Sequence, residues 1–114
     1  MKDDKSLDFS LKIYLLKDSP SFGPGVIRIL ELVQENGSLS KAYREMDLSS
    51  SKGWRILKRA EEDLGFDLVE SSSGGKGGGQ SRLSERGREL LDNYRNFSRE
   101  LDEVSRELFE KHFK

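Results

Sequence analysis

Residues 38–65 read SLSKAYREMDLSSSKGWRILKRAEEDLG, and the order of elements in this run decides the fold. Ser40 is a good N-cap, and the spacing predicts a short helix from Lys41 to Met46 with Ala42, Tyr43 and Met46 on its apolar side. Leu48 closes a tight turn. Ser49 caps a second, longer helix from about Ser50 to Leu64, and Gly65 stops it. Gly53, Leu57, Ala60 and Leu64 recur at steps of four, three and four, which puts them on one inward arc. Ser51, Lys52, Arg55, Lys58 and Arg59 fall on the opposite and flanking arcs. A short helix, a tight turn and a longer helix with a cationic outer face is helix-turn-helix order.

The flanking sequence completes the unit. Upstream, Phe9, Leu11, Ile13 and Leu15 alternate with Ser10, Lys12 and Tyr14, so residues 8–17 read as a half-buried strand. The turn cluster Ser19 to Gly25 ends it. Pro24 is placed to open a helix over 24–36, where its missing N–H costs nothing, and Val26, Ile27, Leu30 and Val33 form the apolar stripe. Downstream, Phe66 to Glu70 and Ser81 to Leu83 read as two short strands around the glycine-rich loop 71–80. Ser84 then caps a last helix running to about Lys111. Leu90, Tyr94, Phe97, Leu101, Val104 and Leu108 recur at steps of 4, 3, 4, 3 and 4, a seam held for nearly three heptads. The expected fold is mainly α with a small β-sheet: a winged helix-turn-helix over residues 1–83, the wing at 66–83, and a dimerisation helix over 84–114.

Composition narrows the function classes. One chain of 114 residues holds one core. Apolar residues are 33%, charged residues 36% and mean hydropathy is −0.73, so part of the chain is expected to stand in solvent. No apolar run approaches the roughly 20 residues that span a bilayer, and Met1 to Asp8 lacks the apolar centre of a secretory signal. A cytoplasmic, nucleoid-associated protein without a membrane partner is expected. There is no cysteine, and the one histidine, His112, stands near the C-terminus, so thiolate chemistry, zinc fingers, iron–sulfur clusters, His-based triads and His-rich metal sites lack their residues. No cofactor and no catalytic residue are expected. The glycine loop is not a phosphate-binding P-loop, because Lys76 is followed by Gly77 rather than Ser or Thr.

The net charge of −1 hides a division. Residues 38–88 carry ten basic and eight acidic side chains, and residues 89–114 carry five and seven. Within 49–60, Lys52, Arg55, Lys58 and Arg59 meet no acid at all. Local clustering governs a binding face because salt screens charges beyond about 8–10 Å. The cationic helix is therefore the candidate for the major groove of double-stranded DNA. Ser50, Ser51 and Arg55 are candidates for base edges; Ser49, Lys52, Lys58, Arg59, Lys76 and Arg82 are candidates for phosphates. Trp54 is expected to pack under the turn against Tyr43 or the wing. Glu61, Glu62 and Asp63 read as a solvated, salt-bridged face.

The run from Gly37 to Glu70 resembles the N-terminal domain shared by LysR-type and molybdate-responsive ModE-type regulators. Ser49 to Trp54 is similar to the start of the ModE-type recognition helix, and Gly74 to Gly87 (GGKGGGQSRLSERG) to that group's wing and following helix cap. Phe22 to Gly25 (FGPG) recurs in its short members. Ser51 and Gly53 stand where an aromatic residue and alanine are frequent in the group, a departure that bears on the operator sequence and not on the mode of docking. The resemblance covers about residues 22–95 and implies a homodimer that binds operator DNA. It does not extend to the molybdate-binding modules of longer members, so an oxyanion signal is expected to need a separate effector-binding protein or a pocket that the sequence does not reveal. The alternative is a winged helix that binds another protein instead of DNA.

Overall fold

A computed structural model describes residues 6–17, 20–72 and 80–114. The elements run β1 (Leu15–Leu16), β2 (Pro20–Phe22), α1 (Pro24–Asn36), α2 (Leu39–Glu45), α3 (Ser50–Leu64), β3 (Val69–Ser71), β4 (Ser81–Leu83) and α4 (Glu85–Phe113). β1 pairs antiparallel with β2, and β3 with β4 in the register Val69↔Leu83, Glu70↔Arg82 and Ser71↔Ser81. This is a winged helix-turn-helix, mainly α with small antiparallel sheets.

α1 is the hub. Pro24 sits at its start, and Gly37 ends it with φ 69°, its N–H donating to the Val33 carbonyl at 2.8 Å. A positive φ at that place favours glycine. One flank of α1, Val26, Ile27 and Leu30, packs with Leu57, Ala60, Leu68, Leu91 and Phe22. The other flank, Ile29, Leu32 and Val33, packs with Ala42 and Tyr43 of α2. α2 and α3 are thereby held on one core through a single helix.

Several boundaries differ from the sequence reading. The strand expected over 8–17 pairs only at Leu15–Leu16. Residues 7–14 lie along α4 instead: the Phe9 and Phe109 ring centroids are 4.9 Å apart, and the Tyr94 hydroxyl donates to the Ile13 carbonyl at 2.6 Å. α2 begins earlier than expected because Ser38, not Ser40, is its cap, accepting from the Lys41 N–H at 3.2 Å. That start lets Leu39 pack onto the core. β3 begins at Val69 rather than Phe66, since the main chain just before it has other partners. The Leu68 N–H donates to Glu61 Oε2 at 2.7 Å, and the Leu68 carbonyl accepts from the Ser84 N–H at 2.9 Å.

Ser84 both caps α4 and ties it to the wing. Its hydroxyl accepts from the Gly87 N–H at 2.9 Å and donates to the Asp67 carbonyl at 2.6 Å. Gly87 is required there, because a Cβ would strike the Leu68 carbonyl. α4 has 29 residues and is therefore about 43 Å long. The molecule extends 62 × 27 × 20 Å, and its radius of gyration of 17.2 Å exceeds the roughly 13 Å of a compact chain of this length. The distal half of α4 stands away from the core and accounts for the difference. Among the described residues, no helix is long and apolar enough to cross a membrane.

Candidate nucleic-acid interface

The turn between α2 and α3 sets the angle at which α3 is presented. Asp47 adopts φ 56°, a left-handed conformation that Asp tolerates better than most side chains. The Leu48 N–H closes the turn onto the Tyr43 carbonyl at 2.9 Å. Ser49 then caps α3, accepting from the Lys52 N–H at 3.2 Å. Gly53 faces α2 so closely that a Cβ would collide with the Tyr43 ring. The two helices cross at a glycine–tyrosine contact, and glycine at this position is the complement of the aromatic ring.

Gly53, Leu57 and Ala60 are buried as expected, and Leu64 is half-buried. On the opposite side Ser50, Ser51, Lys52, Arg55 and Arg59 are exposed together. Ser51, Arg55 and Arg59 follow at intervals of four, forming one ridge along the helix. Arg55 is in the N-terminal half, nearest the capped end. The helix thus offers serine hydroxyls, an arginine fork and flanking ammonium groups to whatever lies against it.

Two expectations are corrected here. Trp54 does not pack beneath the turn; it is 54% exposed and stands beside the basic ridge. Its position flanks the arc of Gly53 and Leu57, where the core is already filled by Tyr43. Glu61 is not on a solvated face; it is 5% exposed. Its Oε2 accepts from the N–H groups of Leu68 (2.7 Å) and Val69 (3.2 Å), and its Oε1 lies 3.1 Å from Lys58 Nζ in an ion pair not aligned as a hydrogen bond. Sequence reasoning missed this role because an acid in the run Glu61-Glu62-Asp63 resembles its neighbours. The signal was its step of four from Leu57 on the inward arc.

The same buried carboxylate affects its surroundings. Burial pushes the Tyr43 phenol above its ordinary value of 10.0, and the Glu61 charge pushes it further in the same direction. The Tyr43 hydroxyl is buried without a hydrogen-bond partner among the described residues.

The other expected contact residues are placed unequally. Lys58 remains partly exposed beside Glu61. Arg82 on β4 is exposed and bonded to Glu70 across the strand pair at 3.2 Å. Lys76, with the wing loop 73–79, lies outside the described residues. Of the six seam residues, Tyr94 is buried and Leu90 half-buried against the chain's own core, so these two are not open to a partner. The reason is that α4 rides on the core over its first turns before it projects. Leu101 is half-buried, while Phe97, Val104 and Leu108 are 53%, 53% and 50% exposed. Between α1, the strands and α4 lies an open cleft bordered by Glu70 and Glu85 against Arg82 and Arg88, a balanced set that favours neither sign of ligand. Among the described residues, no cluster of His, Cys, Asp or Glu is arranged to hold a metal.

The chain is 33% identical over 73 residues to the molybdenum-pterin-binding protein MopA of Rhodobacter capsulatus, covering 64% of this chain and 28% of that protein. It is 32% identical over 71 residues to the molybdenum transport protein ModE of Herbaspirillum seropedicae, covering 62% and 26%. With ModE of Azotobacter vinelandii it shares 30% over 88 residues, covering 74% and 33%. The chain thus spans about a quarter to a third of the length of these relatives. A mutant of Lactococcus lactis ZitR has a similar fold, with a TM-score of 0.57 and 19% identity over 87% of this chain and 69% of that one. The model of bacterial regulatory helix-turn-helix proteins of the lysR family matches residues 25–88, from the first turn of α1 to the first turn of α4. With the two helices, their turn and both wing strands inside that match, the chain belongs to the lysR family of bacterial regulatory helix-turn-helix proteins.

Proposed function

We propose that this chain regulates transcription by setting α3 in the major groove of operator DNA and the wing on the adjacent backbone. A DNA-binding regulator of winged-helix type follows from the family and the fold; no catalysis does. The docking is the new part. The observation that carries it is the acid-free ridge of Ser51, Arg55 and Arg59 on the solvent side of a helix whose other side is fixed to the core. Ser50, Ser51 and Arg55 meet base edges, with the Arg55 fork suited to guanine O6 and N7. Ser49, Lys52, Lys58, Arg59, Lys76 and Arg82 meet phosphates and fix the register. Trp54, exposed beside the ridge, joins them by covering sugar or a thymine methyl.

The chain acts in the cytoplasm, at the nucleoid, as a homodimer. Phe97, Leu101, Val104 and Leu108 on the projecting half of α4 supply the apolar contact. Residues 1–83 bind DNA and residues 84–114 pair the copies. Because two of the relatives are molybdenum transport proteins by name, a molybdenum oxyanion is the first effector to test, delivered through a separate effector-binding partner.

A winged helix that binds protein in place of DNA is separated from this reading by salt. Affinity for a selected duplex that falls steeply between 50 and 200 mM salt, about 10³–10⁵-fold for six to ten phosphate contacts, supports the proposal. Salt-insensitive capture of a protein with no duplex binding overturns it. Mapping of bound sites across the genome then supplies the operator.

A further inference from the structure

Residues 7–14 have the sequence of a strand and no strand beside them. Leu7, Phe9, Leu11 and Ile13 alternate with Asp8, Ser10 and Lys12. Among the described residues, none of residues 7–14 makes a main-chain to main-chain hydrogen bond. The segment is nonetheless held straight. Phe9 meets Phe109 at one end and the Ile13 carbonyl meets Tyr94 at the other, so four residues of arm run against fifteen of helix. Fifteen helical residues rise about 22 Å and four extended residues about 13 Å, with side chains bridging the rest. The arm is therefore near full extension, antiparallel to α4. Asp8 and Lys12 are exposed, and Leu11 is 49% exposed.

The arm's own sequence identifies what completes it. Written against itself in reverse about Ser10, the segment is self-complementary: Leu7 falls opposite Ile13, Asp8 opposite Lys12, Phe9 opposite Leu11, and Ser10 opposite Ser10. We propose that residues 7–13 pair antiparallel with the same residues of a second copy of this chain, about a two-fold axis at Ser10. The pairing satisfies the open main-chain groups and makes two Asp8–Lys12 ion pairs. The odd-numbered apolar side chains of both strands then turn together toward the two α4 helices. Register is specified. A slip of one residue in the pairing sets apolar side chains against polar ones, and a slip of two sets Asp8 against Ser10 or Tyr14 and loses both ion pairs. In the single chain the exposed Asp8 carboxylate accepts from the Phe9 N–H at 2.8 Å and lies 3.9 Å from Arg106, and the pairing exchanges these local contacts for Lys12 of the second copy.

This inference rests on the reading of the chain as a homodimer, and the test separates the two. The chain has no cysteine, so single cysteines report on proximity without background. Opposed residues of a ribbon have Cα atoms about 4.5–5.5 Å apart, within disulfide reach. Full-length Ser10→Cys should form a disulfide-linked dimer on mild oxidation. Lys12→Cys should not, because its copy lies about 13 Å away along the ribbon. Asp8→Lys and Lys12→Asp alone should each weaken the dimer about tenfold in sedimentation, as two attractive cross-strand pairs become repulsive. The double variant should regain wild-type association. If the wild type is a dimer, equal linking of Ser10→Cys and Lys12→Cys, or single reversals without effect, overturns the arm pairing alone. A wild type that is monomeric at tens of micromolar overturns the dimer, and the arm pairing with it.

Discussion

Gly53 and Tyr43 show how one missing methyl group sets the geometry of the whole motif. A Cβ at position 53 would enter the space of the Tyr43 ring, which is itself buried against Ile29, Leu32 and Val33 and has no room to withdraw. Gly53→Ala gains about 0.5–1 kcal/mol of helix propensity but overpacks this contact by about 1–3 kcal/mol, so the overlap wins. Urea denaturation should show net destabilisation, relieved when Tyr43→Leu is added. The Tyr43 hydroxyl itself costs stability, because it is buried without a partner among the described residues. Tyr43→Phe should be neutral or stabilising by about 1 kcal/mol. It should also alter the alkaline limb of stability. Burial, then the Glu61 charge, holds the folded phenol above 10.0, so the unfolded chain ionises first. This contribution is complete below pH 10 and is lost as pH rises above it. Tyr94 is raised in the same direction, by burial first and Tyr14 second. Thermal melts between pH 9 and pH 11 should therefore show a shallower loss in Tyr43→Phe than in the wild type, with Tyr94 contributing to what remains.

Glu61 joins two elements that would otherwise meet only through side-chain packing. It rises from the last turns of α3 and receives the two N–H groups that precede and begin β3. Glu61→Ala should cost about 2–3 kcal/mol, the loss of charge-assisted bonds to buried donors, whereas Glu61→Gln should retain most of the stability through its amide oxygen. Equal loss in both variants by urea denaturation would contradict the assignment. This residue also marks where sequence reasoning stops. α1 and α3 were legible to the residue, because Pro24, Gly37, Ser49 and Gly65 punctuate them and the apolar steps are regular. The outward placement of Arg55 and Arg59 follows from the same periodicity. The start of α2 was not legible, since Ser38 and Ser40 are equal as caps and only the burial of Leu39 chooses between them. The fate of residues 7–14 was not legible either. Alternation identifies a strand-like segment but does not supply a neighbour, and within one chain Tyr94 and Phe109 hold it against α4 instead. Trp54 falls between the inward and outward arcs, so periodicity alone does not choose its side, and it is exposed.

At the scale of the whole molecule, the distal half of α4 leaves Phe97, Val104 and Leu108 in water. Burying a large apolar side chain is worth about 1.5–3 kcal/mol, so the proposed pairing of two copies along this stripe would outweigh leaving it wet. The wild type should be dimeric in sedimentation velocity at tens of micromolar, and Leu101→Asp with Val104→Asp should give monomers. A dimer presents two α3 helices related by a two-fold axis, so the bound site should be a near-palindrome with half-sites about one helical turn, or a multiple of it, apart. If α3 docks as proposed, the acidic balance of residues 89–114 should weaken the long-range attraction to DNA and leave discrimination to the ridge on α3. The most direct measurement is therefore a titration of the wild type, Arg55→Ala and Lys76→Ala against a selected operator and a scrambled duplex at two salt concentrations. Arg55→Ala should lose about 1–3 kcal/mol on the operator and relax preference at one base position per half-site. Lys76→Ala should weaken both duplexes alike and flatten the salt slope. If both variants keep wild-type affinity, base preference and salt slope on the operator, α3 and the wing are not the surfaces that meet DNA.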